Sequence, residues 1–268
     1  MSTRISFALL ACVLAGAAPL KSQEPPATGA AAVPIATDRP SVTDSNIVVP
    51  AGTLQVESGF LGNSTGALRT LDAPATLIRF GLLSRTELRL DVPDHYWNQS
   101  IGPNPGVAPG SGIGDLAVGV KQQLPPGPGG LDASVVASVS FPTGAQAVSS
   151  HGYDPSLQVP WARALSPKWT LAGMLSLYWP TQDGRRNLTG EPTILLDRQL
   201  TGRWGAFAEC AGDFYQRGGP RDLLHVGTTF DVSKDQQLDF HAGVGSWAGT
   251  TFHFIGFGYS FRIRTARH

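Results

Sequence analysis

Residues 86–92 read Thr-Glu-Leu-Arg-Leu-Asp-Val, and their alternation decides the fold. Leu88, Leu90 and Val92 share one parity, while Glu87, Arg89 and Asp91 share the other. A period of two places these sets on opposite faces of a β-strand, one apolar and one charged. The split recurs in both directions. Toward the amino terminus Ile78 and Phe80 flank Arg79, and Leu54, Val56 and Phe60 oppose Gln55 and Glu57. Toward the carboxyl terminus Leu116, Val118 and Val120 oppose Asp115, Ala117 and Lys121, and Val135, Val139 and Phe141 oppose Ser134, Ser138 and Ser140. Leu157, Val159 and Trp161 then oppose Ser156 and Gln158, and Leu171, Leu175, Leu177 and Trp179 oppose Thr170 and Ser176. After Ile194 and Leu196, Trp204 and Phe214 bracket a face opposite Glu209 and Asp213. Leu224, Val226 and Phe230 oppose His225, Thr229 and Asp231; Leu238, Phe240 and Val244 oppose Asp239 and His241. Last, Ile255, Phe257, Tyr259 and Phe261 oppose Gly256, Gly258 and Ser260. About twelve such segments, most of roughly 9 to 12 residues, match tilted strands crossing a hydrocarbon layer. The expected fold is all-β: a transmembrane antiparallel up-and-down β-barrel of about 12 strands.

The connections give an independent test. Residues 83–85, 125–130, 166–168, 201–203 and 233–236 are short turns, whereas residues 95–112, 142–153 and 180–190 are long and rich in Gly, Pro and Asn. Short turns at one end and long loops at the other characterise outer-membrane barrels, with the turns periplasmic. A protease-cleavable tag at Gly106 or Asp183 is therefore expected outside the cell, and one at Gly127 is not.

The amino terminus speaks to compartment. Arg4, an apolar run from Ile5 to Ala18, and Ala15, Ala17 and Ala18 have the layout of a secretory signal peptide, with cleavage expected between Ala17 and Gln23. The run is shorter than the about 20 apolar residues a spanning helix needs. Cys12 leaves with the signal, so Cys210 remains as a lone thiol and an intramolecular disulfide is excluded. The 20 Lys and Arg balance the 20 Asp and Glu, which leaves no basic field for nucleic acid. Charged residues make up 15% of the chain, against about 25% in soluble domains. A face turned to lipid accounts for that shortage.

Alternation alone does not distinguish inside from outside. A soluble sandwich or lipocalin-like barrel alternates too, with its apolar face inward. The export signal, the loop asymmetry and aromatic residues near strand ends (Trp97, Trp161, Trp169, Tyr178, Trp179, Trp204, Trp247, Tyr259) favour the inverted arrangement, in which such residues form interfacial girdles. Arginine at Val118 or Leu175 is then expected to cost more than at Ala117 or Ser176, which face the lumen.

Other motifs carry less. Gly62-Asn63-Ser64-Thr65-Gly66 has the spacing of a nucleophile elbow, but it lies between two strands, where these are ordinary turn residues. Gly112-Ile113-Gly114-Asp115-Leu116-Ala117 fits a dinucleotide fingerprint, yet no helix follows to receive a pyrophosphate, and it reads as a loop feeding strand four. His225, His241 and His253 lack metal-site spacing. No cofactor or metal is implied. The polar parity carries the function: Glu57, Arg79, Glu87, Arg89, Asp91, Asp115, Lys121, Asp132, Glu209, Asp213, His225, Asp231, Asp239 and His241 are expected to line the lumen. Two readings stand, a mixed-charge solute pathway and a salt-bridged closed interior.

Residues 37–45, Thr-Asp-Arg-Pro-Ser-Val-Thr-Asp-Ser, and residues 49–60, Val-Pro-Ala-Gly-Thr-Leu-Gln-Val-Glu-Ser-Gly-Phe, resemble the opening of the outer-membrane transporters grouped under the meta-pathway of phenol degradation. Residues 78–89 are similar to that family's second hairpin, residues 112–121 to its fourth strand, and Phe141-Pro142-Thr143-Gly144 to the loop that follows. The resemblance implies a β-barrel for passage of hydrophobic or aromatic compounds, and it carries over no catalytic residues. One departure is that residues 262–268 follow Phe261, where such barrels usually stop at an aromatic residue.

The chain thus divides into a signal peptide (1–23), a periplasmic leader with a candidate plug (24–52) and an outer-membrane barrel (53–268). In residues 37–50, Asp38, Arg39 and Asp44 place charge on a Pro-restricted backbone ill suited to a central strand. Two readings hold for it: a lumenal plug in which Arg39 pairs with Glu57 or Asp239, or a periplasmic lead-in to the first strand. The expected partners are outer-membrane lipid, a small-molecule solute and the barrel-assembly machinery, and the expected activity is passive passage. A lipid-hydrolysing barrel and a closed structural barrel are the alternatives.

Overall fold

A computed structural model describes residues 34–99, 110–182 and 184–265; residues 1–23, expected to be a signal peptide, and the tag positions Gly106 and Asp183 lie outside the described residues. Twelve strands form the wall: β1 (Thr53–Thr65), β2 (Leu68–Leu83), β3 (Thr86–Val92, continued by His95–Gln99), β4 (Gly110–Ile113, continued by Leu116–Gln123), β5 (Leu131–Phe141), β6 (Asp154–Ser166), β7 (Trp169–Tyr178), β8 (Thr189–Gln199), β9 (Trp204–Tyr215), β10 (Arg221–Ser233), β11 (Gln236–Trp247) and β12 (Thr250–Arg264). Each pairs antiparallel with the next, and β12 returns to β1 from Thr53↔Arg264 to Thr65↔Phe252. Closure leaves no unpaired edge among the described strands, which a hydrocarbon layer would penalise at every bare N–H and C=O.

The two parities separate as an inverted barrel requires. Leu224, Phe240 and Ile255 are 51%, 47% and 54% exposed, whereas Glu57, Arg79, Glu87 and Lys121 are fully buried. In water that apolar exterior would be an aggregation surface; against lipid it is the stabilising face.

The boundaries differ from the sequence reading in three places. The β3–β4 hairpin runs on into the expected loop 95–112, with His95↔Ile113 and Tyr96↔Gly112 paired. The strands break only at residues 93–94 and 114–115, where Pro93 has no N–H for the ladder and bare Gly114 lets the Tyr96 ring lie over the backbone. Residues 62–65 end β1 rather than forming the turn, which is Gly66-Ala67 with Gly66 at φ 58°. Within the connection 180–190, Thr181–Gln182 pairs with Arg185–Arg186, and β8 has already begun at Thr189.

The inner face is not uniformly polar or roomy. Met174, Leu195, Phe207, Phe252 and Phe254 are buried on it. Ser176 has no exposed surface, so the expectation that arginine costs less there than at Leu175 is corrected: lumenal position does not mean free space. Asp132 lies exposed at the short-turn rim rather than in the lumen.

Candidate functional site

Residues 34–50 lie against the inner wall. Ile35 donates its N–H to the Lys234 carbonyl at 2.9 Å, in the turn between β10 and β11, and Gly52 donates to the Gly81 carbonyl at 2.8 Å. The segment therefore begins and ends at the short-turn end. Pro34, Pro40 and Pro50 keep it from joining the sheet as a strand. Its buried backbone donors still need acceptors, and carboxylates on the wall supply them. Glu57 Oε2 accepts from the N–H groups of Asp38 (2.8 Å) and Arg39 (3.0 Å). Glu209 accepts from the N–H groups of Val42 (2.8 Å) and Thr43 (2.7 Å) and from the Thr43 hydroxyl (2.6 Å). Glu87 accepts from Val49 N–H at 2.7 Å.

An ionic cluster surrounds Asp38. Arg79 bonds Glu87 at 2.8 Å and Glu57 at 2.9 Å, and lies 3.3 Å from Asp38. Lys121 Nζ reaches Asp38 at 3.0 Å and donates to the Ser45 carbonyl at 2.8 Å. Arg89 binds Asp38 directly and Asp44 at 3.1 Å. The wall's three cations meet only two wall carboxylates here, Glu57 and Glu87, and the segment adds Asp38 and Asp44. Across the lumen Arg39 pairs with Asp239 at 3.2 Å. Its guanidinium rests where a Cβ on Gly59 or Gly258 would stand, so two inward glycines form its seat.

A second cluster continues from Glu209. His225 Nδ1 lies 2.9 Å from Glu209 Oε2, and His225 Nε2 lies 2.8 Å from His241 Nδ1. With an acceptor carboxylate at one end, we assign the Nδ1 proton of each ring as the donor, which leaves His241 Nε2 bare; that atom is buried without a partner among the described residues. Phe207 and Phe254 flank His225 with ring centroids 5.0 Å away.

Two cavities flank the segment. One, of about 630 Å³, opens toward the long loops; the other, of about 510 Å³, lies toward the short turns; Arg39 and Asp44 line both. Asp91 and Asp115 face the first and Asp231 the second. Asp115 also accepts from the N–H groups of Gly144 (2.8 Å) and Ser150 (3.0 Å), holding the β5–β6 loop inward. Asp213 accepts from Tyr215 (3.0 Å) and Arg221 (3.0 Å). Sequence reasoning missed Thr43, Glu191, Phe207 and Phe254. Glu191 was hidden because Pro192 masks the start of β8. Tyr178 and Trp179 belong to the first cavity rather than to a lipid girdle: Gln158 Nε2 donates to Tyr178 Oη at 3.2 Å, which donates to Glu191 at 3.3 Å.

Residues 37–263 match the family model described as "Putative MetA-pathway of phenol degradation". No curated protein sequence matches the chain. Among solved structures, it is similar to an outer membrane channel from Pseudomonas putida F1 (12% identity, 81% of this chain and 98% of that one, TM-score 0.64). It is also similar to the NanC porin (10% identity, 78% and 100% covered, TM-score 0.55) and to the KdgM porin in complex with disordered oligogalacturonate (12% identity, 77% and 99% covered, TM-score 0.52). At such identities the likeness shows a shared outer-membrane barrel fold.

Proposed function

The chain belongs to the phenol-degradation family whose model spans residues 37–263, and from that premise we propose that it is a passive outer-membrane channel for small solutes, closed at mid-height by residues 34–50. The family description favours hydrophobic or aromatic solutes. The observation that carries the reading is the division of one lumen into two cavities by a segment that is not part of the wall. A closed structural barrel would have no need to fill its interior with a separable segment. Asp38, Arg39 and Asp44 are the plug contacts in this reading, and the inner charges they meet line the pathway. Ion pairs shielded from bulk water hold such a plug more firmly than surface pairs would. The long loops face outward and the short turns face the periplasm, reached after removal of residues 1–23. The barrel has no chemical step of its own; the solute moves down its gradient.

Deletion of residues 37–48, measured as single-channel conductance in a planar bilayer, tests this. Conductance should rise severalfold over the intact chain, and Arg39→Glu should raise it less. Unchanged conductance in a correctly folded deletion rejects the plug and leaves a closed or unobstructed barrel.

A further inference from the structure

The charges of the chain are balanced in number, 20 to 20, but not in space. The larger cavity is lined by eight carboxylates and two guanidinium groups. Both guanidiniums are engaged, Arg39 with Asp239 and Arg89 with Asp38 and Asp44. Four of the carboxylates, Asp91, Asp94, Asp115 and Glu191, have no ammonium or guanidinium group within 4.0 Å among the described residues. A separate observation points the same way. Asp72, on the inner parity of β2 and paired in register with Tyr96, is only 8% exposed, and its Oδ1 has no hydrogen-bond partner among the described residues. A buried carboxylate oxygen without a partner calls for a donor or a cation, and the strand partner of Asp72, Tyr96, lines the cavity. Tyr96, Tyr178 and Trp179 add aromatic surface to the same cavity.

We infer that this outer cavity is a cation-selective vestibule and that the solutes it admits are small organic ammonium ions. The inference rests on the channel reading and sets a charge requirement that the family description, with its hydrophobic or aromatic solutes, does not contain. Rings of carboxylates concentrate cations and repel anions in a pore whose walls focus the field. Aromatic faces then favour an organic cation over a fully hydrated inorganic one. The smaller cavity carries a weaker bias, with three carboxylates, Asp44, Asp197 and Asp231, to the one guanidinium of Arg39.

The test uses the full chain, the 37–48 deletion and the triple variant Asp91→Asn, Asp94→Asn, Glu191→Gln, each in a planar bilayer. Under a KCl gradient the reversal potential should show cation preference, and the triple variant should lower the cation-to-anion permeability ratio severalfold. Replacing KCl on one side with tetramethylammonium chloride should leave a measurable inward current. A second readout does not need conduction: Trp179 fluorescence, taken as the difference from Trp179→Phe, should be quenched severalfold more by caesium than by iodide, and the triple variant should remove that difference. If none of the three proteins conducts, the channel reading fails while the quenching still judges the vestibule. Anion preference, or equal quenching by the two ions, overturns the inference. Exclusion of tetramethylammonium overturns the solute class.

Discussion

The wall formed by β1–β4 and the wall formed by β9–β12 face the same segment, yet they hold it by different physics. On the first, Glu57, Arg79, Glu87, Arg89 and Lys121 are buried ions whose balance is completed by Asp38 and Asp44 from the segment. On the second, a single carboxylate, Glu209, meets backbone N–H groups, and around it stand His225, His241, Phe207, Phe252 and Phe254. Buried charge is tolerated only when paired, and losing one partner costs more than the pair contributed. Rings and paired histidines make no such demand. The difference teaches that the first wall needs the segment's carboxylates to offset its buried cations, while the second holds the segment through two acceptors, Glu209 and Asp239, set among rings.

The largest expected effect tests that dependence. Asp38→Ala leaves Arg79, Arg89 and Lys121 facing one another with fewer counter-charges, and should cost about 3–5 kcal/mol. Denaturant unfolding of the lipid-reconstituted barrel measures it; a cost below about 1 kcal/mol would show that the ionic wall balances itself. Next come the outer faces, where the two sides should not differ. Val118 on β4 and Leu175 on β7 are 39% and 51% exposed, and arginine at either should cost about 2–4 kcal/mol at mid-membrane. Arginine at Ala117, which borders the larger cavity, should be milder; equal costs at Ala117 and Val118 would contradict the inverted arrangement. Smaller again is Phe254→Ala on the aromatic wall, at about 1–3 kcal/mol from lost apolar burial alone. It should leave conductance unaltered. A conductance change as large as that of Asp38→Ala would erase the distinction between the walls.

Much of this was legible in residues 86–92 and their repeats, because a period of two fixes which side chains share a face. The odd character of residues 37–50 was legible for the opposite reason: charge and proline without alternation. What parity cannot supply is height and angle around the barrel. Arg79 and Lys121 share a face in any reading, but that both converge on Asp38 depends on stagger between strands. Phe207 and Phe254 went unread because small and polar neighbours blur their strands' alternation, and nothing local marks an aromatic ring as inward. Tyr178 has the position of a girdle residue and the chemistry of a lumenal one; its hydroxyl found Glu191 across the β7–β8 pair.

The smallest expected effect on stability is also the sharpest test of how the two walls share the plug. Arg39 crosses from the segment to Asp239 on β11, and its guanidinium occupies the space over Gly59 of β1 and Gly258 of β12. Gly258→Ala adds one methyl group on the inner face and alters no charge. Neither glycine has a positive φ, so the backbone accepts alanine without strain. The methyl group would overlap Arg39 and Asp239 Oδ2, so the guanidinium must leave its seat while the Asp38 cluster stays intact. Stability should fall by about 1 kcal/mol, the lower end of overpacking costs, because the segment can shift where a strand cannot. Conductance should rise, by less than on deletion of residues 37–48, and brief closures should persist because Asp38 still anchors the segment. Raised salt should widen the gap between the variant and the intact chain, since the remaining hold is ionic. A fully open Gly258→Ala channel would move the principal latch from Asp38 to Arg39. Conductance indistinguishable from the intact chain would leave the ionic wall as sufficient to hold the segment alone.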